Sequence, residues 1–459
     1  MSWKRGVLLI TVVVGCGSVQ GSSAVPDAGD PGTPDGSRGA DSSIGADGSG
    51  DVDAATPVPR IKASNTVSRA DLATGIAPLL VPAGKTYVID TDQGTVVDAA
   101  NASTVIRAAG AGLNHGIYYR TDNQNRAFFA IERLTVEDTA TLRGVGGRAL
   151  VLIAEGPIEL HGIIDVSAGH CAASDAVSCA GPGGGRGGDA TTAAAGCSPG
   201  QAGTGDTGGA IGGGGGGFAS KGGAGGAPLI ITIAGSALVS PAVGPMPFLA
   251  VGSGGSGAGC PGPALEPIQG GSGGHHGGAF VVTTAGGGGG GAVQVTSYTS
   301  ITAGIAASGH ASGVWAGGGG GSTGHPLLHA PTAGSGGGSG GAILLEAPSV
   351  TIGMGVVLAA NGGGGGAGQV EAAGQAGAFG STPAPGGGAS GSGIGGAGAA
   401  LGTEAIDGAA GLDTATSAPS GGGGGGGIGR IRINTINLNV AAQAIVSPTV
   451  SINVPAATE

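Results

Sequence analysis

The sequence predicts an all-β protein: a right-handed parallel β-helix that carries long glycine-rich loops on one side. Three observations carry this expectation. Glycine supplies 110 of 459 residues, about three times the usual share of roughly 7%. Between the glycine clusters, aliphatic β-type runs return in units of similar length. Two of those units, 147–169 and 341–362, match in order and spacing: GRALVLIAE stands beside GAILLEA, and IIDVSAG beside VVLAANG. No strict Gly-X-Y period runs through the chain, which excludes collagen. Aromatics at 3% and charged residues at 10% exclude dense aromatic cores and helices laced with ion pairs.

Residues 1–15 read as a signal peptide. Lys4 and Arg5 precede the apolar stretch Val7 to Val14, which is too short to cross a bilayer as a helix. The stretch ends Val13-Val14-Gly15-Cys16, which resembles the lipobox of bacterial lipoproteins. By that resemblance Cys16 is the acylated first residue of the mature protein, and the Gly17 that follows it implies release to the outer membrane. Residues 16–59 read as the lipidated cysteine and an acidic disordered tether, with seven Asp and one Arg between 22 and 59 and almost nothing apolar to bury.

Residues 60–146 hold three of the four tyrosines and 17 of the 45 charged residues and read as a β-rich N-terminal capping region. Short runs such as KTYVID (85–90), GIYY (116–119) and AFFAIE (127–132) are separated by Asp, Asn and Gly, the grammar of strands and turns. One helix is predicted, over 69–80.

Residues 147–459 read as the β-helix body. Five units of 19 to 27 residues, 147–169, 226–252, 291–309, 341–362 and 429–454, have the length of one β-helix coil, whose apolar face is buried only when neighbouring coils stack on it. The glycine runs 212–217, 286–291, 317–321, 362–366 and 421–427 fall between units, so they should emerge at one point of the coil. Bare glycine backbones can lie side by side as extended polyproline-II-like strands, and partial order is expected of them. The alternative fold is a β-sandwich with disordered glycine-rich loops.

The runs GGAGG (222–226) and GGRGG (184–188) resemble those of the glycine-rich, PGRS-like surface lipoproteins of Gram-negative bacteria, a resemblance that covers most of 128–440. It implies a non-enzymatic structural or adhesive role at the outer membrane or cell surface. The partners would be the membrane, reached through the lipid anchor, and an extracellular polysaccharide or protein.

The four remaining cysteines, an even number in an exported chain, point to disulfides. Cys197 and Cys260 share a Gly-Cys followed by Pro-Gly, so they are paired, and Cys171 with Cys179. The alternative is a zinc site helped by His170, although Cys-x-x-Cys spacing is absent. His275, His276 and His310 read as solvent-facing or locally hydrogen-bonded. No cofactor is expected: a Gly-x-x-x-x-Gly-Lys-Ser/Thr loop is lacking, and Gly-x-Gly-x-x-Gly is met by chance at this glycine content. Nucleic acid is excluded as a partner, because 222–429 has no Lys or Arg to meet phosphates. The alternative function is a polysaccharide-acting β-helix enzyme, for which only Arg120, Asp122, Arg126, Glu155, Glu159 and Asp165 offer the carboxylates and cations such chemistry needs.

Overall fold

The structure, a computed structural model, describes residues 61–65, 74–169, 179–206, 209–229, 252–278, 284–304, 309–324, 326–327, 330–368, 372–388, 393–412 and 419–454. Among them every regular element is a β-strand. Cys16, Cys171, His170 and the segment 230–251 lie outside the described residues.

The N-terminal part runs through β1 (Leu79–Val81), β2 (Thr86–Asp90), β3 (Thr95–Asp98), β4 (Asn101–Arg107), β5 (Gly112–Asn114) and β6 (Ile117–Thr121). The predicted helix is corrected at its C-terminal end: Leu79 and Leu80 lie in β1, where Leu79 and Val81 are buried and Leu80 is exposed. That is the period of two of a strand, and Pro78 just before it lacks the N–H a helix would use.

Next come the repeats. The first is β7 (Arg126–Ile131), β8 (Leu134–Val136) and β9 (Thr141–Val145); the second is β10 (Ala149–Ala154), β11 (Ile158–Leu160) and β12 (Ile163–Asp165). Short pieces β13 (Gly205–Asp206), β14 (Gly209–Ala210) and β15 (Pro228–Leu229) lie in the glycine-rich stretch that follows. The third repeat is β16 (Ala292–Ser297), β17 (Ser300–Ala303) and β18 (Gly313–Trp315). After β19 (Pro326–Leu327) and β20 (Ala330–Pro331), the fourth is β21 (Ala342–Ile352), which supplies two strand positions, and β22 (Val357–Ala359). After β23 (Gly411–Leu412) the fifth is β24 (Arg430–Val440), which again supplies two strand positions, and β25 (Ile445–Ser447); β26 (Ser451–Asn453) then pairs in parallel with the first half of β24.

Equivalent strands of successive repeats pair in parallel. The first positions stack β7-β10-β16-β21-β24 and the second β8-β11-β17-β21-β24 within a 12-stranded sheet; the third stack β9-β12-β18-β22-β25 within an 8-stranded one. Both sheets are mixed, because β2-β3-β4 and β5-β6-β7 pair antiparallel at the N-terminal end. Two sequence expectations shift accordingly. Residues 126–145 form a full repeat, so the span 60–146 is more than a cap. The run 226–252 contributes no described strand to the stack, since β10 pairs directly with β16.

Parallel register turns the aliphatic residues into inward columns. Phe129, Leu152, Val295, Leu345 and Ile433 form one; Val136, Leu160, Ala303 and Ile352 a second; Leu142, Ile164, Val314 and Leu358 a third. All are buried in one cluster, each worth about 1.5–3 kcal/mol where the side chain is large. A second cluster covers the outer face of the first stack, where Phe218, Leu265 and Ile268 pack on Phe128, Val151, Ile153 and Leu344. At the N-terminal end the fully buried Arg107 donates to the carbonyls of Gly94, Ala108, Gly110, Gly112 and Ile117. It thereby satisfies carbonyls in the β2–β3 and β4–β5 loops and at the starts of β5 and β6.

Candidate functional site

The three long insertions, 166–291, 316–341 and 360–429, all join the third strand of one repeat to the first of the next. Their described parts form a lattice of extended chains held by backbone alone. Residues 333–341 show the rule. Ala333, Gly336 and Ser339 donate their N–H groups to the carbonyls of Gly278, His275 and Ser272; Gly334, Gly337 and Gly340 to Gly421, Gly424 and Gly427; Ser335, Gly338 and Gly341 to Ser322, Gly319 and Ala316. Three more segments donate into this one: Gly213 and Gly216 to Gly334 and Gly337, Gly287 and Gly290 to Gly336 and Ser339, Gly363 and Gly366 to Gly338 and Ser335.

A donor that turns to a new neighbour at each residue and returns at the third is the signature of a left-handed helix with three residues per turn. The segment 333–341 therefore contacts six others where a β-strand contacts two. Residues 212–217 and 421–427 obey the same rule. All of 333–341 is buried, and its backbone donors are nonetheless satisfied, as buried N–H groups must be. The composition follows from this geometry. At Gly336, Gly337, Gly338, Gly340 and Gly341 an added Cβ would lie inside 3.0 Å of a neighbouring backbone carbonyl. Serine enters where its hydroxyl is used: Ser339 Oγ accepts from Ser272 N at 2.8 Å, and Ser335 Oγ donates to Thr284 Oγ1 at 2.6 Å.

Polar and titratable groups decorate this frame. Cys197 and Cys260 are joined in a disulfide spanning 63 residues beside Phe218 and Leu265; Cys179 is also disulfide-bonded, and its expected partner Cys171 lies outside the described residues. His275 is half-buried within the lattice and locally hydrogen-bonded: its Nδ1 accepts from His276 N at 2.9 Å, and burial, then the charge of His276, lower its pKa to about 4. His310 is exposed, 3.6 Å from Asp138. Among the described residues no group of three or more His, Cys, Asp or Glu could hold a metal ion.

Sequence reasoning missed Glu346. It is fully buried on β21 and accepts from Ser64 N at 3.1 Å, Gln294 Nε2 at 2.8 Å and Asn434 Nδ2 at 2.7 Å. Burial pushes its carboxyl up, and the hydrogen bonds from Asn434 and Ser64 pull it back. These bonds fasten residues 61–65 across the first stack.

The residues named for an enzyme are dispersed. Asp122 pairs with Arg126 at 2.5 Å, and Arg120 lies over the Phe128 ring. Asp165, in the other sheet, accepts from Ser167 and pairs with Arg143. Glu155 follows β10, and Glu159 lines a cavity. That cavity, of about 290 Å³, is walled by Pro78, Leu80, Arg133, Thr135, Pro157 and Glu159. It stands at the head of an outward row in register across the second stack: Leu80, Thr135, Glu159, Thr302, Thr351 and Asn439. A parallel row holds Ser300, Ser349 and Asn437. No family model, curated protein or solved structure matches this chain.

Proposed function

We propose that this chain is a lipid-anchored, glycine-rich surface lipoprotein with a structural, non-enzymatic role in the envelope or its surrounding matrix. Its stacked repeats form a right-handed parallel β-helix, and the glycine lattice is the slab that this column carries. The observation that supports the reading best is the lattice. A large part of the chain is spent on a packed body with bare backbone inside, which serves shape and rigidity and offers few groups for chemistry. Cys16 supplies the acyl attachment, the acidic residues 22–59 supply reach, and about 0.8 kcal/mol per buried CH₂ holds the anchor in the bilayer.

Metabolic labelling with a fatty acid, combined with protease treatment of intact cells, tests this. Label is expected on the wild type and absent from Cys16→Ala, with cleavage of the exposed body in intact cells. Unlabelled wild type, or label that survives in Cys16→Ala, would overturn the anchor; complete protection in intact cells would overturn surface display.

A further inference from the structure

We propose that the cavity at Pro78–Glu159, together with the row of outward side chains that leads away from it, binds an uncharged polysaccharide chain. This rests on the reading above insofar as such a ligand is met outside the cell, while the binding itself is independent of where the protein resides.

The walls have two characters. Pro78, Leu80 and Pro157 present C–H surface; Arg133 presents donors, Glu159 acceptors and Thr135 both. A hexopyranose ring is divided in the same way, with C–H groups on its faces and hydroxyls around its rim. A volume of about 290 Å³ lies at the lower limit of ligand pockets, a size for one or two rings. Leu80 is 47% exposed, an apolar wall left open to solvent where the inward residues Leu79 and Val81 of the same strand are buried.

Beyond the cavity, Thr302, Thr351 and Asn439 follow one per strand, at the lateral spacing of about 4.8 Å set by strand pairing. Ser300, Ser349 and Asn437 run beside them. Hydroxyls and amides both donate and accept, so they can meet sugar hydroxyls in either orientation along an extended chain. Charge selects the class of glycan. Arg133 and Glu159 offset each other and the rows beyond them are uncharged, so there is no excess of cations to hold a polyanion.

The test is fluorescence anisotropy with the full chain in detergent and three labelled probes: β-1,4-linked hexasaccharides of glucose, N-acetylglucosamine and mannose. An oligogalacturonate of equal length is the acidic comparison. Saturable binding of at least one neutral probe is expected, weakened about tenfold or more by Arg133→Ala or Glu159→Ala through loss of a charge-assisted hydrogen bond. Thr351→Val should weaken it by a few-fold, and Arg148→Ala, whose partner is Asp92, should leave it unchanged. Circular dichroism and melting establish that each variant folds, and Leu80→Trp, at an exposed position, blocks the cavity by bulk as a second route. Binding of none of the neutral probes, preference for the acidic one, or indifference to Arg133, Glu159 and Leu80 would overturn the proposal. Failure here with Cys16 labelling and protease cleavage intact would remove the glycan site alone; the reverse result would remove the surface assignment alone.

Discussion

Substituting alanine for Gly336 probes the lattice at a segment that is buried throughout. The new Cβ would fall inside 3.0 Å of both the carbonyl oxygen and carbon of Gly214, so residues 212–217 and 333–341 must separate. Those two segments are tied by Gly213 N to Gly334 O at 3.0 Å and Gly216 N to Gly337 O at 2.9 Å. Both bonds lie among buried residues, and a buried group left unpaired costs about 1–3 kcal/mol. The expected destabilisation is therefore about 2–6 kcal/mol. Gly262 is the control: an added Cβ there meets nothing within 4 Å, and Gly262→Ala should change stability by no more than about 0.5–1 kcal/mol in either direction. Calorimetry should show the Gly336→Ala melting transition lowered by about 2–7 °C, given the entropy of unfolding a body of roughly 400 residues. If the two variants melt within a degree of each other, enclosure of the glycines is not what holds this part of the molecule together.

Two further outcomes are expected. The His275 pKa is lowered from 6.5 to about 4, so its contribution to stability is full above pH 6.5 and is lost as pH falls toward 4; protonation would also set Nδ1–H against the His276 N–H it now accepts from. Melting temperature against pH should therefore fall across that window in the wild type and less steeply in His275→Asn, which keeps an acceptor without the charge; parallel curves would refute this. Replacing Cys197 and Cys260 with serine releases a loop of 63 residues and should cost about 2–4 kcal/mol in denaturant unfolding, and a loss below about 0.5 kcal/mol would contradict it.

The repeats were legible because each aliphatic run keeps its order: 147–169 and 341–362 take equivalent places in the stack on either side of 291–309, although the register, in which Ile163 and Val357 both face Gly313, is one residue off the match of IIDVSAG with VVLAANG. The repeat at 126–145 was hidden by its charges and its Phe128-Phe129 pair, and because no glycine run separates it from the next. The run 226–252 looked like a coil by composition, yet composition does not tell which glycine-bounded stretch enters the stack. The lattice was legible in kind and not in detail. Glycine has no side chain to mark a neighbour, so nothing in GGGGGG at 212–217 distinguishes the six segments around it. For the cavity, Glu159 stood among the candidate carboxylates, whereas its company with Leu80, Thr135 and Arg133 depends on register. Glu346 gave one signal, a lone carboxylate inside an aliphatic run.

The threefold alternation of donors also bears on assembly. In stacked-repeat proteins each unit leans on the one before and after it, and folding can spread from any of them. Here Gly213 receives an N–H from Gly424, and each insertion finds partners in the other two as well as within itself. None of the three can reach its final state until the last has been made, so a nascent chain carries the first insertion incomplete until the third emerges. Contacts this remote in sequence make for slow, all-or-none closure.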